Sequence, residues 1–383
     1  MFFVHPQIQF NTKEILGAFS NFFKKPDLER IKKELSSAFP GREFLFTDMA
    51  RSAFKTIIEE LHLQGSRVIF PAYICDIFYP IIKKYKIQPI FLDIDLETFH
   101  LKLNEIERVN SNPRAILLSH TYGLPIDKDS IKDLKEKKNI SVIEDCAHTF
   151  GAQYKDDTYV GTAGDVSFFS LYKQFPMFRG GLLVYPEIWE PGKLKETYFN
   201  FRDFISFLNC FPVFSFLFKT FGNQVAPKFV RKEKMPCPAD LNPVSLNFFS
   251  QYAKDYDVTL IRRKKLGQFF QRELEGLGFK VQKGENNIFC YLSALVPQGL
   301  ESKRDELVEK LRKERVFCTR IWHTPIVLNS QVQEEYHLDL NDFPNTVEAA
   351  NRVINFPLQN FYKEKDIKKI VRAIKKTLPQ LKC

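Results

Sequence analysis

Between residues 52 and 185, short apolar runs that end in polar residues alternate with charged segments of helical length. That alternation predicts an α/β protein, with a mostly parallel sheet covered on both faces by helices. At 383 residues the chain leaves room for a second, smaller unit. Its 44% apolar content supplies a sizeable core, and no long disordered tract is evident.

Residues 13–37 combine helix formers with mixed charge and read as one or two surface helices. Residues 52–61 read as a helix, and residues 67–70 as a buried strand stopped by Pro71. Residues 77–85 are helical in pattern. Residues 89–92 form the next strand, followed by Asp93 and Asp95. A third strand, 115–118, runs into Ser119-His120, and 130–138 is a charged helix. The strand at 141–143 ends at Glu144-Asp145, and two more lie at 166–170 and 182–185. The large domain is expected over 1–250, with a Phe-rich insertion at about 200–235. A smaller α+β domain is expected over 251–383, with helices at 254–277, 303–313 and 365–377 and strands at 288–292 and 317–320.

Net charge is +10, from 56 basic and 46 acidic residues. This favours anionic partners: phosphorylated small molecules, nucleotides or anionic lipid. The basic residues are spread along the chain in short clusters such as 262–265, so nucleic acid is not an expected partner. The seven Cys form no C-x-x-C pair, which points to a reducing compartment without a zinc site or disulfide framework. Residues 1–10 lack the features of a signal peptide, and no stretch reaches the ~18–20 apolar residues of a membrane span. The expected location is the cytoplasm.

In parallel sheets ligands sit at the carboxyl ends of the strands, which singles out Asp93, His120 and Asp145. Ser170-Leu171-Tyr172-Lys173 places a lysine on the turn after a strand. A partly desolvated amine there is a nucleophile toward an aldehyde, and a serine three residues earlier suits a phosphate. Gly180-Gly181 follow, where backbone can approach a ligand closely. An isolated S-x-x-K is more often only a surface lysine. A carboxylate at a strand end, Asp145, can pair with a protonated pyridine nitrogen and keep the ring an electron sink. His148, three residues on, can meet a phenolic oxygen, although a His satisfied in the core is the commoner case.

The order Glu144-Asp145-Cys146-Ala147-His148, Gly151, Gly164-Asp165, Ser170, Lys173, Gly180-Gly181 resembles that of the DegT/DnrJ/EryC1/StrS sugar aminotransferases. Residues 67–73, 89–95, His120-Thr121-Tyr122-Gly123 with Asp127, and 349–358 extend the likeness over most of the chain. The resemblance implies fold type I of the pyridoxal-phosphate (PLP) enzymes and a homodimer with shared active sites. It also implies amino transfer through pyridoxamine phosphate, from a small donor such as glutamate to a keto group on a nucleotide-linked sugar. By the same likeness, Lys173 would carry the cofactor as a Schiff base and Asp145 would hold its ring nitrogen. His148 would sit by its phenolic oxygen, Ser170 and the backbone at Ala50 and Arg51 by its phosphate, and Cys75 or Tyr73 by its ring face. Asn242 is the nearest match to an Asn-aromatic-Arg motif that reaches the partner's site, but no Arg follows it. His323 and Tyr172 are candidate substrate contacts. The phosphate turn, Thr47-Asp48-Met49-Ala50-Arg51, departs from the small residues of relatives. Competing readings are a PLP-fold protein without turnover, or an enzyme acting on a lipid-linked or non-sugar substrate.

Residues 204–218 contain six Phe and no charge, and are followed by Lys219, Lys228, Arg231, Lys232 and Lys234. Packing on the protein's own core or a dimer partner is the first expectation. Peripheral contact with lipid is the second.

Overall fold

The computed structural model describes residues 3–4, 6, 8–138, 140–225 and 238–381. Lys228, Arg231, Lys232 and Lys234, and the end of the expected insertion, lie outside the described residues.

In chain order the first part comprises β1 (Phe3–Val4), α1 (Thr12–Ala18), α2 (Leu28–Ala38), β2 (Arg42–Thr47), α3 (Ala50–Glu60) and β3 (Arg67–Pro71). There follow α4 (Tyr79–Lys84), β4 (Gln88–Leu92), β5 (Ala115–Ser119), α5 (Lys128–Lys138), β6 (Ser141–Cys146), β7 (Val166–Ser170) and β8 (Gly181–Pro186). Four helices come next: α6 (Phe201–Leu208), α7 (Pro212–Val225), α8 (Pro243–Ala253) and α9 (Tyr256–Glu275). The chain closes with β9 (Lys280–Val281), β10 (Leu292–Leu295), α10 (Arg304–Lys313), β11 (Val316–Phe317), α11 (Ser330–Tyr336), α12 (Pro344–Arg352), β12 (Val353–Phe356) and α13 (Glu364–Thr377).

Seven strands form the large sheet in the order β2-β8-β7-β6-β5-β3-β4. From β4 to β7 every pairing is parallel, whereas β8 runs antiparallel to both β7 and β2. Alternation along each strand splits the core in two. Ile69, Ile116, Leu118, Phe169 and Leu182 join one buried cluster, and Val68, Phe70, Leu117, Phe168 and Leu183 join the other. β2 was not expected: it is an edge strand with only Thr47 buried, and its short Phe44-Leu45-Phe46 run is half-exposed between charged and polar residues.

A three-stranded antiparallel sheet, β12-β10-β9, packs with α9, α10 and α13 around a third core. The expected strand at 288–292 begins only at Leu292. Phe289 takes φ +52°, and Arg263 claims the carbonyls of Phe289 (2.8 Å) and Cys290 (2.7 Å). The strand expected at 317–320 shortens to β11, beyond which Thr319 bridges Asn355. β11 pairs in parallel with β1, so residues 3–4 lie with the C-terminal unit rather than with the large sheet. α9 also straddles the two units: Tyr256 and Leu260 enter the large core, and Leu266, Phe270 and Leu274 the small one.

The Phe-rich stretch is a pair of helices, α6 and the start of α7, bent by 102°. No single helix among the described residues is long and apolar enough to cross a membrane.

Candidate active site

Two of the three candidates chosen by strand-end position serve the fold. Asp93 caps α12, accepting from the Thr346 N–H (2.9 Å), the Asn345 N–H (3.0 Å) and the Thr346 hydroxyl (2.7 Å). His120 Nε2 lies 2.9 Å from Glu144, whose two oxygens also take Tyr154 OH and the N–H groups of Gly161 and Gly164. His120, Glu144 and Cys146 are the one His/Cys/carboxylate group among the described residues close enough to share a metal ion. The backbone and side-chain donors just named already fill the Glu144 oxygens, and the Ile126 N–H fills His120 Nδ1 at 2.9 Å.

Asp145 ends β6 in a buried setting, with Oδ1 accepting the Ala147 N–H (3.0 Å) and Oδ2 3.4 Å from the Ser119 hydroxyl. Burial pushes its carboxyl above the usual carboxylate range. Lys173 Nζ stands 3.0 Å from His148 Nε2. Burial first, and the neighbouring Lys173 second, hold His148 well below its ordinary range, so its ring is neutral. The Tyr122 N–H donates to Nδ1 at 3.1 Å. The single ring proton is thereby assigned to Nε2, facing the lysine. Tyr122 can aim its N–H this way because its backbone is left-handed, φ +60°. Gln174, next to Lys173, donates to the His148 carbonyl at 2.9 Å and accepts from Tyr256 OH at 2.8 Å.

Aromatic rings enclose His148: Tyr291 at 4.9 Å, Trp322 at 5.3 Å and Tyr122 at 6.1 Å between centroids. Trp322 also has a left-handed backbone, φ +61°. Its neighbour His323 is exposed and contacts only the Arg320 carbonyl (2.7 Å), so Trp322 occupies the place expected of His323. Tyr73 joins the rings around His148, its hydroxyl 2.7 Å from that of Tyr122 and its ring 5.6 Å from that of Trp322, and it stacks on Phe99. Cys75 bridges Pro325 and bonds toward Trp322, on the rim of the aromatic group. Tyr172 is half-buried against the large core. Tyr122, Gln174, Tyr291 and Trp322 were not chosen from sequence as site residues. Only Tyr122 carried a signal, through its place beside Gly123 after a strand.

On the other side of Lys173, strand register aligns Ser170 with Gly181 and Gly181 with Thr47. A Cβ on Gly181 would lie 2.5 Å from Met49 C and 2.6 Å from Ala50 N, so only glycine lets β8 meet the start of α3. No side chain caps α3, whose first turn, beginning at Ala50, is an end suited to an anion. Asp240 bridges Thr47, and Asn242 follows, fully buried. Its Oδ1 caps α8 through the Ser245 N–H (2.9 Å), while Nδ2 has no protein acceptor. Asp48 adds an acid to the turn; Ser52 donates to it at 2.6 Å, and burial raises its carboxyl.

Residues 49–204 and 247–375 match the profile of the DegT/DnrJ/EryC1/StrS aminotransferase family. The chain is 24% identical over 341 residues to dTDP-4-amino-4,6-dideoxy-D-glucose transaminase of Shigella dysenteriae, covering 87% of this chain and 85% of the relative. It is 39% identical to GDP-perosamine synthase of Escherichia coli O157:H7 over 124 residues, which are 32% of this chain and 34% of the relative. The PLP form of Spr1654 from Streptococcus pneumoniae has the same fold, with TM-score 0.76 at 17% identity over 99% of this chain and 100% of that one.

Proposed function

Since this chain belongs to the DegT/DnrJ/EryC1/StrS aminotransferase family, whose cofactor is PLP, we propose that it moves an amino group onto the keto group of a nucleotide-linked sugar. The observation that carries the reading is Lys173 Nζ held 3.0 Å from a neutral His148, on the turn after β7, the strand paired with the one that carries buried Asp145. The two named relatives, one a dTDP-sugar transaminase and the other a GDP-sugar enzyme, support the acceptor class.

The residues fit the cofactor. The buried Asn242 amide without an acceptor, the uncapped start of α3 and the Ser170–Gly181–Thr47 row supply donors for a phosphate. Bound there, the cofactor supplies an aldehyde carbon and an electron-withdrawing ring. Lys173 is the amine for that aldehyde, and its nitrogen then holds or returns a proton beside the substrate carbon. Asp145 holds the ring nitrogen; once paired with a cation, its carboxylate no longer carries the cost of burial. His148 offers its Nε2–H and keeps the lysine nitrogen in place. Trp322, Tyr291 and Tyr122 exclude water. Glutamate is the proposed donor, and a cytoplasmic homodimer with shared sites is the proposed assembly. The free cysteines, three of them buried, accord with a reducing compartment.

The test is the visible absorption of the purified protein with PLP, before and after adding glutamate, beside Lys173→Ala. A band that appears in wild type, bleaches with glutamate and is missing in the variant supports the reading. No band in wild type overturns it, and a band that ignores every amino donor overturns the reaction assigned.

A further inference from the structure

We propose that α1 and the α6–α7 pair form a docking face for the surface of an anionic lipid bilayer. The proposal is independent of the reaction assigned above.

The side chains that bury least here are large and apolar. Phe23 is 90% exposed, Leu16 86%, Phe201 75% and Val213 65%, and Phe19, Phe204, Phe214 and Phe218 are also open. Ring contacts make the face continuous. Phe19 meets Phe207 (5.4 Å) and Phe211 (5.7 Å); Phe211 meets Phe214 (6.3 Å), and Phe214 meets Phe218 (6.5 Å). Single exposed apolar residues are ordinary, but a joined aromatic face of this kind marks a surface meant to be covered. Much of it, α1 and the part of the α6–α7 pair after residue 204, lies outside the residues that match the family profile.

Charge selects the cover. Lys13, Lys24, Lys25 and Arg202 adjoin the face and are exposed. The acids within α1 and α6 are occupied: Glu14 in the α1 capping box, and Asp203 with Arg179 and the cap of α6. An apolar face rimmed by cations suits anionic headgroups above acyl chains. A protein partner would have to be acidic at its rim, and a second copy of this face would oppose cation to cation.

Geometry sets the depth. α6 has eight residues, about 12 Å at ~1.5 Å per residue, against a hydrocarbon core of about 30 Å. The 102° bend lays the two helices along a surface rather than through it. α6 is also tied to the loop after Lys173, since Arg179 Nε donates to Asp203 at 2.7 Å and Cys210 Sγ lies 4.0 Å from the Met177 carbonyl. Docking therefore sets the active-site loop beside the bilayer.

The test is flotation of the PLP-loaded full-length protein with vesicles of phosphatidylcholine alone, or of phosphatidylcholine with phosphatidylglycerol. Wild type should float only with the anionic vesicles and be released by high salt. Phe23→Ser/Phe201→Ser/Val213→Ser should weaken binding by at least about tenfold, as should Lys13→Glu/Lys25→Glu/Arg202→Glu, whose side chains are exposed. Glutamate-dependent bleaching should remain unchanged in both variants, showing that each still folds. No flotation of wild type, or equal flotation of both variants, overturns the proposal. So does a Phe/Val variant that changes mass in solution while wild type ignores vesicles, because the face would then join two copies of the chain.

Discussion

Arg263→Ala should destabilise the protein by about 3–5 kcal/mol, in the range for breaking a buried charged network. Arg263 is 2% exposed, and its guanidinium donates to Phe289 O (2.8 Å), Asn360 Oδ1 (2.7 Å) and Cys290 O (2.7 Å). Hydrogen bonds to a charged group contribute about 1.5–3 kcal/mol each, so three set a ceiling of ~4.5–9 kcal/mol. Two effects reduce that ceiling. Water can follow the lost side chain and solvate the carbonyls, and Phe289, freed from φ +52°, recovers ~1–2 kcal/mol of backbone strain. The damage should reach the active site. The 288–291 turn bonds to the Tyr122–Gly123 segment through Ile288 N (2.9 Å) and Tyr291 N (3.1 Å), and Tyr122 N–H orients His148. The assay is urea unfolding followed by tryptophan fluorescence, with PLP affinity measured in parallel. Arg263→Lys, which keeps the charge but not the fork, should fall between. A loss under ~1 kcal/mol, or a large loss with PLP affinity intact, would refute this account.

Asp145→Asn should raise the melting temperature of the cofactor-free protein while abolishing amino transfer. Burial raises the Asp145 carboxyl, so its contribution is full below the ordinary 3.8 and is lost as pH rises through the raised value; melts should therefore differ most at neutral pH and converge near about pH 4. Glu144 has the opposite sign: burial raises it, but bonds from His120, Tyr154 and Gly164 outweigh that and lower it. Its contribution is present above 4.5 and fades as pH falls through the lowered value, so Glu144→Gln should cost ~2–4 kcal/mol at neutral pH and flatten the acid side of a melting-temperature profile. Gly181→Ala must move backbone at Met49 and Ala50, and should weaken PLP binding by about 10–100-fold in a spectral titration; unchanged binding would refute the role given to that close approach.

The strands of the large sheet were legible because each is a short apolar run closed by a polar residue. Lys173 and Asp145 were legible for the same reason, being where such runs stop. What escaped was set by backbone conformation. Nothing in the letters Tyr122, Phe289 or Trp322 announces a positive φ, yet these residues aim the N–H at His148, end the expected strand at 288–292 and exchange Trp322 for His323. Tyr73, by contrast, stands in an apolar segment whose letters point to the site, and its ring touches Tyr122 and Trp322 there as well as Phe99. The edge strand β2 was lost to its half-exposed pattern.

The pairing of β1 with β11 bears on how the chain reaches its fold. Gln9 N–H donates to Gln359 Oε1, a contact 350 residues apart in sequence, and Gln359 in turn donates to the Val4 carbonyl. At about 5–20 residues per second, synthesis separates the two partners by ~20–70 s. The large sheet, made from residues 42–186, can close in that interval. Phe3, Val4, Ile8 and Phe10, all buried in the finished protein, must wait for later residues before they are fully covered. The docking of this segment is therefore a long-range closure that cannot be completed until the C-terminal unit has been made.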